Sequence, residues 1–243
     1  MSQAELSVRI IPRLDIKGPN VVKGVHLEGL RVIGDPSTLA LRYYEQGADE
    51  LLYMDVVASL YGRNSLLDIV ERAAADLFIP LTVGGGIRTH EDIRKLLRAG
   101  ADKVAINTEA TKNPSFIREA AQSFGSQCIV VSIEAKRRGP GQWEVLTDNG
   151  REKTGLEALP WAQKVVSLGA GELLVTSVDQ EGTAKGYDLE LTRLISESVS
   201  VPVIACGGAG SAADVRRAAV EGRADAVCLA HLLHYDKAVI GDL

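Results

Sequence analysis

The sequence predicts a single (β/α)8 barrel spanning residues 1–243, and three observations lead to it. Short β-rich runs alternate with helical patterns from one end to the other, as repeated βα units around a parallel sheet do. The β-rich runs number eight. A set of residues also recurs at half the chain length: Gly47-Ala48, Glu50-Leu51-Leu52, Pro80, Gly85-Gly86, Asp92, Arg94 and Gly100 return 122 residues later as Gly169-Ala170, Glu172-Leu173-Leu174, Pro202, Gly207-Gly208, Asp214, Arg216 and Gly222. That period is far too long for a solenoid, and two (βα)4 halves close most simply into eight strands. A doubly wound open sheet is the alternative arrangement; the repeat favours the barrel.

The predicted strands are VRIIPRLDI, ELLYMDV, PLTVGGG, KVAIN, CIVVSIEA, ELLVTSVD, PVIACGG and AVCLA, each dominated by β-branched and aliphatic residues. Between them PSTLALRYYEQG, SLLDIVERAAADL, HEDIRKLLRAG, PSFIREAAQSFG, LEALPWAQKVVSLG, DLELTRLISESV and AADVRRAAVEG carry apolar residues three and four apart. Several end in Gly, the usual helix C-cap.

Hydrophobic residues make up 46% and charged residues 24% of the chain, the balance of an ordinary globular protein. The net charge is -5 with dispersed Lys and Arg, so no basic face for nucleic acid is expected. The N-terminal MSQAELSVRI lacks a signal pattern and no apolar run reaches membrane-spanning length, so a cytoplasmic location is expected. Cys128, Cys206 and Cys228 fit neither a disulfide framework nor zinc spacing and read as small core residues inside apolar runs. His26, His90, His231 and His234 share no metal-ligand spacing, and no dinucleotide fingerprint is present, so neither metal nor organic cofactor is expected.

In such a barrel the chemistry sits at the C-terminal strand ends. There the repeat places Gly84-Gly85-Gly86 and Gly207-Gly208, where bare backbone can close on an anion. With Asn107-Thr108 in one half and the segment after AVCLA in the other, each half offers a phosphate pocket, which suggests a substrate with two phosphates. The carboxylates at strand ends are Asp15, Asp55, Glu134, Asp179 and Glu181. Strands 1 and 5 face each other across the barrel, so Asp15 and Glu134 are placed to flank a ligand as acid and base. The bland alternatives are a salt bridge from Asp15 to Lys17 or Lys23, and Asp55 holding loop backbone. Arg9, Glu50, Lys103 and Glu172 sit near strand starts, where charge ordinarily solvates the barrel floor.

The blocks RIIPRLDIKGPNVVKGVHLEGLRVIGDP, GADELLYMD, FIPLTVGGGIR, LLRAGADKVAINT, FGSQCIVVSIEAKRR, TGLEALPWA, GAGELLVTS and PVIACGGAG resemble the cyclase subunit of imidazole glycerol phosphate synthase, the HisF family, nearly end to end. The related phosphoribosyl-formimino isomerase shares the half-barrel repeat and the glycine pockets, but VVKG and GADELLYMD fit the cyclase better.

That resemblance implies a glutaminase partner, a class I amidotransferase of HisH type, at the N-terminal face. Ammonia released there passes through the barrel to a bis-phosphorylated formimino aminoimidazole carboxamide ribonucleotide. It also implies Asp15 as catalytic aspartate and Lys23 as the lysine of a mobile first loop. Gly86, Asn107, Thr108, Gly182 and Gly208 fall on phosphate-binding positions, and Asp102 on the glutaminase interface. Arg9, Glu50, Lys103 and Glu172 fall on a charged ring at the tunnel entrance. Glu134 and Glu181 stand where the family has aspartates, His231 where it has a serine, and DIKGPN replaces a DVKDGR-like loop. Two other activities share the plan: an ammonia-delivering paralogue in surface-sugar pathways, and a sugar-phosphate isomerase needing no ammonia.

Overall fold

The computed structural model describes residues 7–58 and 66–243; the first six residues of the N-terminal stretch and Ser65, at the head of the second predicted helix, lie outside them. In chain order the strands are β1 (Arg9–Lys17), β2 (Asn20–Val25), β3 (Glu28–Gly34), β4 (Leu51–Asp55), β5 (Leu81–Gly84), β6 (Lys103–Ile106), β7 (Ile129–Gly139), β8 (Gln142–Thr147), β9 (Glu152–Glu157), β10 (Glu172–Ser177), β11 (Val203–Cys206) and β12 (Ala226–Leu229). The eight strands β1, β4, β5, β6, β7, β10, β11 and β12 pair in parallel. The β10–β7 pairing closes them into a barrel, as the repeat requires.

The seven predicted helices form as α1 (Pro36–Glu45), α2 (Leu67–Asp76), α3 (His90–Arg98), α5 (Ser115–Phe124), α6 (Ala158–Ser167), α7 (Leu189–Ser196) and α8 (Ala212–Val220). Two short helices that the sequence reading passed over, α4 (Thr108–Lys112) and α9 (His231–His234), follow β6 and β12. They are the same feature in the two halves: their cap residues Asn107 (φ -124°, ψ -77°) and Ala230 (φ -131°, ψ -69°) share one unusual conformation. The recurring Asp92 and Asp214 have a common duty as well. Each accepts backbone N–H groups at the head of its helix, from Arg88 and Thr89 in one half and from Gly210 in the other.

Two hairpins were not anticipated. β2–β3 continues from β1, pairing antiparallel at Asp15↔Val22, and β8–β9 continues from β7 at Glu134↔Leu146. Both rise from the first strand of a half-barrel. Their turns meet: Leu27 packs with Leu146 and Val178, and Asn149 Nδ2 donates to the Leu27 carbonyl at 3.4 Å. His26 adds a backbone N–H to the Glu181 carbonyl at 2.8 Å.

The barrel strands divide their side chains by the period of two. On β1, Ile10, Leu14 and Ile16 face the helix layer, and Ile11 faces inward with Leu52, Val130, Leu174, Ile204 and Ala226. The same alternation turns Arg9, Arg13 and Asp15 to the interior. No described helix is long and apolar enough to cross a membrane. Cys206 and Cys228 are buried inside the barrel, whereas Cys128 is only half-buried, because the chain turns through a 3-10 helix (Ser126–Cys128) before β7 begins.

Candidate active site

Among the buried ionisable side chains at the barrel mouth, Arg13, Asp15, Lys23, Glu134 and Glu181 form a cluster. Arg13 Nε donates to Asp15 Oδ1 at 2.7 Å, and Lys23 Nζ pairs with Glu181 Oε1. Asp15 thus pairs with Arg13, not with Lys17 or Lys23. Glu134 completes the set and has no cation bonded to it among the described residues; its Oε2 accepts the Gly150 N–H at 2.8 Å. Burial pushes the Glu134 carboxyl up from 4.5 to about 7, with Asp15 and Asp148 adding to the rise and Arg13 and Gly150 opposing it. Burial works against the charge of Lys23, but Glu181 and Asp15 outweigh it and raise its pKa.

Arg13 is the residue that sequence reasoning missed. Its guanidinium also lies 3.5 Å from Thr176 Oγ1 and 3.5 Å from Cys206 Sγ, wholly inside the barrel. The signal was present: a basic residue two positions before Asp15, in an otherwise aliphatic strand, must share that residue's face.

Two clefts flank this cluster. The first, of about 740 Å³ and open to solvent, is lined by Gly85, Gly86, Asn107 and Thr108, as expected, and by Asp55, Glu134 and Asn149. Asn107 Nδ2 donates to the Leu146 carbonyl at 3.1 Å, while its buried Oδ1 has no partner among the described residues. The second, of about 270 Å³, is lined by Glu181, Gly182, Gly207, Gly208 and His231. Glycine is dictated at both rims. A Cβ on Gly85, at φ +102°, would stand 2.3 Å from the Asp55 carbonyl oxygen, and one on Gly208, at φ +107°, 2.1 Å from that of Gly186. His231 fills the place that Thr108 takes in the first cleft. Its Nε2 lies 2.9 Å from Lys237 Nζ, and burial with the nearby Lys237 charge lowers its pKa.

The other strand-end carboxylates stand apart from the five. Asp55 Oδ1 accepts the Val57 N–H at 3.0 Å and so holds loop backbone, while lining the first cleft. Asp179 lies outside the clefts' inner walls, accepting the Arg137 N–H at 2.8 Å.

At the opposite end Arg9, Glu50, Lys103 and Glu172 close a ring of alternating charge. Arg9 bonds Glu50 and, at 2.6 Å, Glu172, and Lys103 bonds both glutamates at 2.9 Å. Burial opposes the two cations, and the bonds to Glu172 and Glu50 overcome it, raising both pKa values. Asp102 is exposed on this face, one oxygen accepting the Leu81 N–H at 2.8 Å. Among the described residues no His, Cys, Asp and Glu cluster suits a metal.

Residues 9–239 match the family described as histidine biosynthesis protein. The chain is 64% identical over 204 residues to the imidazole glycerol phosphate synthase subunit HisF of Legionella pneumophila, covering 84% of this chain and 96% of that one. It is 52% identical over 235 residues to the same subunit of Alkaliphilus metalliredigens (strain QYMF), covering 97% and 93%. The chain therefore belongs to the histidine biosynthesis protein family, among its imidazole glycerol phosphate synthase HisF subunits.

Proposed function

We propose that this chain is the cyclase half of imidazole glycerol phosphate synthase, working in complex with a glutaminase subunit. It uses ammonia to convert phosphoribulosyl-formimino aminoimidazole carboxamide ribonucleotide to imidazole glycerol phosphate and aminoimidazole carboxamide ribonucleotide. The observation that carries this reading is the placement of two glycine-rimmed clefts either side of a buried carboxylate pair. A substrate with a phosphate at each end spans the mouth, one group in the cleft of Gly85, Gly86, Asn107 and Thr108, the other in that of Gly182, Gly207, Gly208 and His231. Its reacting carbon then lies between Asp15 and Glu134.

Ring closure needs protons moved in both directions. Glu134, poised to about 7, can give and take one near neutral pH, where a general acid–base group is most effective. Asp15, held by Arg13, is its opposed partner. Arg13 positions that carboxylate and balances its charge. Lys23 leaves Glu181 to meet the substrate's anionic groups when they arrive.

Ammonia enters at the other face. The ring of Arg9, Glu50, Lys103 and Glu172 offers carboxylates to ammonium, and the apolar layer above it, from Ile11 to Ala226, favours the neutral molecule. The glutaminase docks around this ring, with Asp102 at the contact.

The test is ammonia-dependent turnover of the formimino ribonucleotide by purified protein at mildly alkaline pH, beside Asp15→Asn. Wild-type protein turns over and the variant falls by about a hundredfold or more. Absence of turnover in both, with the glutaminase still stimulated, points instead to the ammonia-delivering paralogue.

A further inference from the structure

Cys206 and Cys228 have no part in the proposed chemistry, yet their placement is specific. They are direct partners in the parallel register of β11 and β12, and both side chains face the barrel interior. Paired strands lie about 4.8 Å apart, inside the span of about 4.4–6.8 Å that a disulfide bridges. Both side chains line the second cleft together with Gly182, Gly207 and Gly208.

The two sulfurs are not equivalent. Cys206 lies in register between Thr176 and Cys228 and has the Arg13 guanidinium 3.5 Å away. These contacts, that from Cys228 first, lower its pKa against burial and the Glu181 charge. Burial and the adjoining Cys206 raise that of Cys228. One sulfur is set up as nucleophile and its neighbour as resolving thiol, an arrangement that packing alone does not require. Cys128 has neither neighbour: it is half-buried in the 3-10 turn that precedes β7, and burial raises its pKa.

We infer that Cys206 and Cys228 form an oxidisable dithiol in the wall of the second cleft that closes to a disulfide with hydrogen peroxide. The Cys206 thiolate attacks one peroxide oxygen; the O–O bond breaks, leaving a sulfenic acid on Cys206 and hydroxide that is protonated to water. The Cys228 sulfur then attacks the Cys206 sulfur, giving up its proton; the S–S bond forms, the S–O bond breaks and a second water leaves. Two thiols and one peroxide thus become a disulfide and two waters, sulfur losing the two electrons that oxygen gains.

The experiment treats reduced, folded, full-length protein with hydrogen peroxide, alkylates the remaining thiols after unfolding, and maps tryptic peptides without reduction. Free thiols fall from three to one. Peptides 194–216 and 224–237 become cross-linked, reversibly with dithiothreitol, and Cys128 carries the alkyl group. In Cys228→Ser the resolving sulfur is gone, and dimedone traps a sulfenic acid on Cys206. Full alkylation of both cysteines after peroxide, cross-linking through Cys128, or a cross-link formed only in unfolded protein overturns the inference.

Discussion

The two ends of the barrel are built from the same material and differ in how their charges are paired. At the floor, Arg9 and Lys103 each bridge Glu50 and Glu172, two cations against two carboxylates, and every member is bonded to both neighbours. At the mouth, carboxylates outnumber Arg13 and Lys23: Asp15 and Glu181 take the cations, Asp55 holds loop backbone, and Glu134 accepts a backbone N–H. The balanced ring is a fixed electrostatic structure. The unbalanced cluster contains a group whose proton is loosely settled near neutral pH, which is what proton transfer requires.

Removing a cation from the mouth should break this arrangement most severely. Arg13 and Asp15 are both buried, so Arg13→Met leaves an unpaired carboxylate where water cannot solvate it. Deleting one partner of such a pair costs about 3–5 kcal/mol, and urea unfolding should read a loss of that order. Arg13→Lys restores charge but not the guanidinium fork that holds Asp15. It should recover most of the stability while turnover stays well below wild type, separating positioning from charge balance. If Arg13→Met is as stable and as active as wild type, the mouth's pairing is incidental.

The odd carboxylate gives the next largest effect, with a defined sign. Glu134 is raised from 4.5 to about 7, so between those values the folded protein keeps a proton that the unfolded chain has released. Its contribution to stability is intact below about pH 4.5 and is lost as pH rises through 7. Glu134→Gln cannot ionise and keeps an acceptor for Gly150. Its stability relative to wild type should therefore climb by about 2–3 kcal/mol between pH 5 and pH 8, followed by unfolding midpoints at both values. The turnover profile should lose the limb centred near pH 7 in the same variant. A stability difference that is flat with pH would place the proton elsewhere in the cluster.

Much of this contrast was legible in the sequence. The eight strands and seven helices follow from periodicity, and the repeat of Gly85-Gly86 in Gly207-Gly208 points to the two strand ends where the clefts lie. The ring members were visible only as isolated charges near strand starts; the family resemblance grouped them, because bonds joining residues as far apart as 9 and 172 leave no local pattern. Arg13 was overlooked although the period of two sets it beside Asp15. The hairpin β8–β9 was overlooked although Asn149-Gly150 is a strong turn signal, and that turn supplies the N–H that holds Glu134.

The floor should yield the smallest effect on the isolated chain and so sharpen the comparison. In Lys103→Met both Glu50 and Glu172 keep Arg9, and the ring's cations are partly exposed, so solvent and salt screen what is lost. Stability should fall by about 1 kcal/mol, less in high salt, read from urea midpoints at two salt concentrations. Turnover with ammonium salts should stay within about twofold of wild type, because the mouth is untouched, while glutamine-driven turnover with the glutaminase subunit should drop further. That split assigns the balanced ring to entry and the unbalanced cluster to chemistry. An equal loss with both nitrogen sources would mean that the two ends of the barrel act on the same step.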